Sequence, residues 1–178
     1  MQSLMLIKPT LIHKNEILNY QQTYKNAGLT LHGANQLAHF SADTFEDWLA
    51  YLRAPPGTNH FGYDKVADST YLAWHTIENR MVGIIHLRHT LNDYLLQYAG
   101  NIGYSVHPQE WGKGYATQML TLALEKTDLL GIKEVMLSCD KDNIASSKVI
   151  LKNGGYLESE FERQGKIIQR YWIKRHIS

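Results

Sequence analysis

Cysteine, proline and long apolar runs are all scarce in this chain, and so is any excess of one charge. A single cysteine, Cys139, stands among 178 residues, so no internal disulfide can form, which fits a reducing cytoplasmic setting. No metal-ligand cluster involves that thiol, and no metal is expected. Eighteen Lys and Arg are set against seventeen Asp and Glu, a net charge of +1. They are spread along the chain and do not form the basic face that nucleic acid requires. The stretch from Met1 to Leu11 is mildly apolar but already holds Lys8 and Pro9. No run approaches the ~20 apolar residues of a membrane span, so no membrane association is expected. Repeats and low-complexity linkers are missing too. What is there, 44% hydrophobic and 20% charged residues, describes a soluble globular protein, long enough for one domain over residues 1–178 with a sizeable core.

Periodicity divides the chain into elements. Ser3 to Lys8 predicts a strand stopped by Pro9, and Leu11 to Ala27 a helix ended by Gly28. Leu29 to Phe40 has no clean period. Phe45, Trp48, Leu49 and Leu52 mark one face of a helix that Pro55-Pro56-Gly57 breaks. Thr58 to Ser69, polar with three rings, reads as a substrate loop or a plain connection. A hairpin over Thr70–Ile77 and Met81–His89, a short helix or crossing at Leu91–Tyr98, and a strand at Gly100–Val106 follow. Ala116–Leu130 is a helix, Glu134–Cys139 a strand and Ile144–Lys152 a helix, and Tyr156–Arg163 with Lys166–Ile173 form a closing hairpin. The order predicts an α/β (α+β) fold, a mixed central sheet of six to seven strands with helices on both faces.

Between the strand ending at Val106 and the helix that follows lies Trp111-Gly112-Lys113-Gly114-Tyr115-Ala116-Thr117. Two glycines remove the Cβ atoms that would hold an anion off the backbone. The first N–H groups of a helix have no partner within it and carry the positive end of its dipole. Donors converging there suit a diphosphate. Downstream, Asp142-Asn143-Ile144-Ala145-Ser146-Ser147 opens another helix after a strand.

These two segments together resemble the GCN5-related N-acetyltransferase (GNAT) family, and bacterial predicted acetyltransferases within it. The family's Arg/Gln-x-x-Gly-x-Gly/Ala signature aligns on Gly114 and Ala116, with Trp111 where Arg or Gln is usual, and Asn143 and Ser146 match its Asn-x-x-Ala/Ser segment. The resemblance implies a sheet splayed beside Tyr104-Ser105-Val106, with acetyl-CoA in the gap as co-substrate. Ser105, Val106 or His107 would pair with pantetheine. Trp111, Gly112, Lys113, Gly114, Ala116 and Thr117 would hold the diphosphate, and Asn143 and Ser146 would lie beside the cofactor.

The implied reaction is direct attack of a neutral primary amine on the thioester in a ternary complex. Many members use a tyrosine seven residues after the Asn as acid, where this chain has Ile150. Ser146, Ser147, Tyr156, a water, or no residue at all serves the thiolate in its place. Tyr104 ranks first for proton or water handling and His86 second, with His89 and His107 nearby. Cys139 reads as an inert buried thiol. Two alternatives stand beside the acetyltransferase: a non-catalytic CoA-binding or regulatory module, and a transferase of longer acyl groups. The acceptor, a small molecule or a protein amine, stays open. Asp43, Glu46, Asp47, Asp64 and Asp93 are available to a cationic one. The closing hairpin offers an edge on which two copies could pair as a homodimer.

Overall fold

The computed structural model describes residues 3–177, so Met1, Gln2 and Ser178, at the two ends of the expected domain, lie outside the described residues. Strand β1 (Leu4–Ile7) ends before Pro9, and a single 3₁₀ turn at Leu11–His13 leads into α1 (Lys14–Asn26). Gly28, at φ +65°, closes that helix through Gly28 N–H to Lys25 O and Leu29 N–H to Tyr24 O. Helix α2 (Phe45–Arg53) buries Phe45, Trp48 and Leu49, the i, i+3, i+4 set seen in the sequence. The segment between these helices, without period in the sequence, is a run of turns with one 3₁₀ turn at Leu37–His39. Then come β2 (Asp68–His75), β3 (Arg80–Arg88), α3 (Asp93–Tyr98), β4 (Ile102–Val106), α4 (Tyr115–Leu129), β5 (Glu134–Asp140), α5 (Ile144–Lys152), β6 (Tyr156–Arg163) and β7 (Lys166–Lys174). Gln164 and Gly165, both at positive φ, make the two-residue turn of the last hairpin.

The seven strands form two sheets, in the orders β1-β2-β3-β4 and β5-β7-β6, and every paired neighbour is antiparallel. They touch at one seam. Gly100 bridges Leu137, the Asn101 N–H donates to Met136 O at 2.7 Å, and the Met136 N–H donates to Asn101 Oδ1 at 2.9 Å. A side chain at Gly100 would strike the Met136 carbonyl, so glycine sets how closely the seam closes. Past it, β4 and β5 separate.

Apolar packing, more than hydrogen bonding, joins the sheets. Val135, Leu137, Tyr171 and Ile173 of the second share one cluster with Ile85, Leu87 and Val106 of the first, beneath Met119, Leu120, Ala123 and Leu124 of α4. On the opposite face, Ile17, Tyr20 and Tyr24 of α1 and Phe45, Trp48 and Leu49 of α2 pack on Leu72, Met81 and Ile84. Each such fully buried side chain stabilises by ~1.5–3 kcal/mol. Helices therefore cover both faces, as expected, and the gap opens between two densely packed layers.

Candidate active site

The loop after β4 is built to expose backbone donors. Gly112 and Gly114 both stand at φ +81°, where a side chain is strained, and each has open space where a Cβ would project. In α4 the first backbone bond back to this loop is from Gln118 N–H to Gly114 O. Among the described residues, the N–H groups of Gly112, Lys113, Gly114, Tyr115, Ala116 and Thr117 have no protein acceptor. Five of these belong to predicted cradle positions, Tyr115 being the addition. Trp111 is different. Its amide leans on Pro108 O at 3.4 Å, and its indole Nε1 donates to Val106 O at 2.9 Å, so it serves the strand end and not the cradle. Lys113 is exposed and ion-paired with Glu110 at 2.7 Å, and Glu110 also holds Arg80.

The edge of β4 is half available. His107 N–H donates to Val82 O and Arg88 N–H to Asn101 O, so alternation assigns the peptide groups of Gly103, Ser105 and His107 to β3. Tyr104 and Val106 face the gap. This corrects the expected pantetheine partners: Ser105 and His107 are turned away. Val106 O is filled by Tyr24 OH at 2.6 Å and Trp111 Nε1. The Ser105 hydroxyl meets Tyr20 OH at 2.8 Å on the α1 face.

Across the gap, Asn143 Oδ1 accepts the Ser146 N–H at 3.1 Å and starts α5. That cap aims the Ser146 hydroxyl at Tyr104 OH, 2.8 Å away. Burial pushes the Tyr104 phenol up to about 12 and the Cys139 thiol up to about 11, so both are protonated at neutral pH. Tyr104 is thus a proton donor rather than a base. Ser147, predicted as a catalytic candidate, lies one residue on and donates instead to Ile144 O within its own helix. Ile150 is buried in the core, and Tyr156 is exposed on the far hairpin.

The histidines change rank. His86 is buried and donates from Nε2 to Asp68 Oδ2 at 2.7 Å; its pKa falls to about 4 through burial, so it is neutral but not placed to take a proton from an acceptor. His89 Nε2 lies 2.8 Å from Ser69 Oγ, and His107 Nδ1 accepts Gln109 N–H. His32, which sequence reasoning passed over, precedes Gly33, whose backbone rests on Gly103 and Tyr104. Its ring is partly open to solvent; what burial it has lowers its pKa, opposed by Asp140, at the end of β5, and reinforced by Lys166. No local signal marks it, because its position depends on a loop folded by distant contacts.

Comparison with known proteins fits this geometry. The acetyltransferase (GNAT) domain model matches residues 6–155, so the chain belongs to the GNAT acetyltransferases. As a member it is an acetyl-CoA-dependent N-acetyltransferase. No curated protein is significantly similar in sequence. Among solved structures, RimL, a ribosomal L7/L12 α-N-protein acetyltransferase in complex with coenzyme A through a CoA–cysteine disulfide, superposes with TM-score 0.72 at 20% identity, covering 98% of this chain and 95% of that one. An acetyltransferase from Salmonella typhimurium that modifies the N-terminal serine of ribosomal protein L7/L12 gives 0.70 at 18% identity, over 99% and 97%. A chimera of the Vibrio cholerae spermidine N-acetyltransferase SpeG with hSSAT gives 0.65 at 15%, over 97% and 95%. At these identities the likeness is one of fold.

Proposed function

We propose that the chain acetylates an α-amine, of a peptide or of a small molecule, by direct attack within a ternary complex. The observation that carries this reading is the juxtaposition of an open β4 edge, a glycine cradle of unpartnered N–H groups and the Tyr104–Ser146 pair facing one another across the gap. These residues fit acetyl-CoA. Gly112 to Thr117 would hold the diphosphate, and the Tyr104 and Val106 peptides would meet the pantetheine arm. When bound, acetyl-CoA supplies an activated acyl carbon and a thiolate leaving group.

The chain's own groups then have distinct tasks. Ser146, hydrogen-bonded to the protonated Tyr104, holds a proton at Oγ for the departing sulfur, and Tyr104 replenishes it. The incoming ammonium gives up its proton to solvent or to the exposed His32, on the loop that rests on Gly103 and Tyr104. The Val106 and Tyr104 N–H groups are the backbone donors for developing negative charge. A polyamine would favour an acidic opening. Near the end of β5, Asp140 is paired with Lys166 and Glu160 with Lys141, so these two carboxylates are compensated, which favours a monoamine. The lone, weakly reactive thiol supports a reducing cytoplasmic setting.

The test is an acceptor panel containing a serine-initiated peptide, an alanine-initiated peptide and spermidine, with released CoA measured against time. Faster release with either peptide than with spermidine is expected. Preference for spermidine would overturn the acceptor assignment, and tight CoA binding without turnover on any amine would favour a non-catalytic module.

A further inference from the structure

The loop that carries His32 and Gly33 has an anchor far from the reacting atoms. Asn35 and Gln36 both adopt left-handed backbone, at φ 46° and 67°, although neither is glycine. Such residues persist only when their surroundings hold them. Asn35 is held on both sides. Its Nδ2 donates to Asp68 Oδ2 and to Thr70 Oγ1, each at 3.1 Å, and its carbonyl accepts Trp48 Nε1 at 3.0 Å. The Asp68 side chain is almost wholly buried and is also ligated by His86 Nε2 and by the ammonium of Lys65, itself buried. His86 pairs in register with Gly103. Two residues before Asn35, the Gly33 backbone lies so close to Gly103 and Tyr104 that a Cβ there would stand 2.5 Å from Gly103 O and 2.6 Å from Tyr104 N. The chain of contacts is continuous: Asp68 to Asn35, Asn35 to Gly33, Gly33 to the strand that bears Tyr104.

We propose that Asp68 and Asn35 are positioning residues for acetyl transfer, seating the His32–Gln36 loop on Gly103–Tyr104 and thereby fixing where the acceptor stands. This inference rests on the acetyltransferase reading above. Neither residue reaches the cradle, so cofactor binding is independent of them. A buried carboxylate with three ligands also explains why a charge is kept in this place. A neutral side chain could not satisfy the Lys65 ammonium, the His86 N–H and the Asn35 amide together.

The experiment compares Asp68→Asn and Asn35→Ala with wild type, using CoA as the binding probe and the serine-initiated peptide and spermidine as acceptors. Expected are a tenfold or greater rise in acceptor KM, a CoA dissociation constant within twofold of wild type, and faster amide exchange confined to residues 31–36 and 102–105. Unchanged acceptor KM and unchanged exchange in both variants would overturn the proposal, as would an equal loss of CoA affinity. Should Asp68→Asn fail to fold, Asn35→Ala, which removes no charge, carries the test. If wild type acetylates neither acceptor, the proposed function fails, while exchange at residues 31–36 and 102–105 still decides whether Asp68 and Asn35 seat the loop.

Discussion

Replacing Gly33 with alanine puts a number on the contact between the loop and β4. Two costs combine. The residue sits at φ +72°, where a Cβ is strained by ~1–2 kcal/mol. The added methyl would also stand 2.5 Å from Gly103 O and from Tyr104 Cα. Both obstacles are backbone atoms of a paired strand, so relief requires the loop itself to lift, an overpacking cost of ~1–3 kcal/mol. The sum, about 3 kcal/mol, corresponds to a drop in Tm of roughly 6–12 °C for a chain of this size. Gly28 is the internal control. It has φ +65° and nothing within 4 Å of a built Cβ, so Gly28→Ala carries the strain alone and lowers Tm by roughly 2–8 °C, always less than Gly33→Ala. Thermal unfolding followed by circular dichroism, with urea titration alongside, measures both. Gly33→Ala should in addition depress acetyl transfer while leaving CoA affinity within twofold. Equal Tm losses for the two alanines would refute the reasoning, since the packing contact would then be worth nothing.

Other outcomes follow from the same geometry. Ser146→Ala should lower kcat by roughly tenfold to a hundredfold in acetyl-transfer assays, whereas Ser147→Ala, whose hydroxyl is bound within its helix, should stay within about twofold. Gly114→Ala, with the φ +81° needed at the mouth of the cradle, should weaken CoA binding by roughly tenfold to a hundredfold in calorimetry, as one or two charge-assisted bonds are lost. Stability should fall with acid. His86 has a folded pKa of about 4, below its unfolded value, so the unfolded chain binds the proton first. Its contribution, about 3 kcal/mol, is complete above pH ~6.5 and disappears as pH falls toward 4. Urea unfolding at pH 7.5 and 4.5 should show this loss, and His86→Gln should remove the largest share of the pH dependence.

What the sequence made legible were features written locally. The boundaries of α5 and β6 match the structure because each is closed by its own turn residues: Asn143 before the helix, Asn153-Gly154 after it, Gln164-Gly165 after the strand. The cradle was legible for the same reason, since two glycines before a helix state their geometry without help. The loop over residues 29–40 was not. Its conformation comes from Trp48, Asp68 and Gly103, dozens of residues away, and a run of left-handed backbone has no period to detect. Ser146 and Ser147 are one residue apart, which on a helix is a rotation of about 100°, so only Ser146 meets Tyr104. Only Asn143's cap decides which serine meets Tyr104. His86 ranked second, after Tyr104, for lying on or near a central strand, but its ring points to the α1–α2 face, where Asp68 claims it.

The division into two sheets also bears on how the protein avoids unwanted association. An unpaired strand edge is a template for any other extended chain, and β4 keeps such an edge at Tyr104 and Val106. It lies in the fork between the sheets, beside the Gly100–Leu137 bridge, so another strand could reach it only through that fork. The outward edges are guarded in other ways. β1 has only four residues and runs into Pro9, which has no N–H to offer. β6, at the outer rim of the second sheet, carries Glu158, Glu160 and Glu162, charged side chains whose desolvation opposes pairing with another strand. The free edge of β4 is thus protected by where it lies and not by charge.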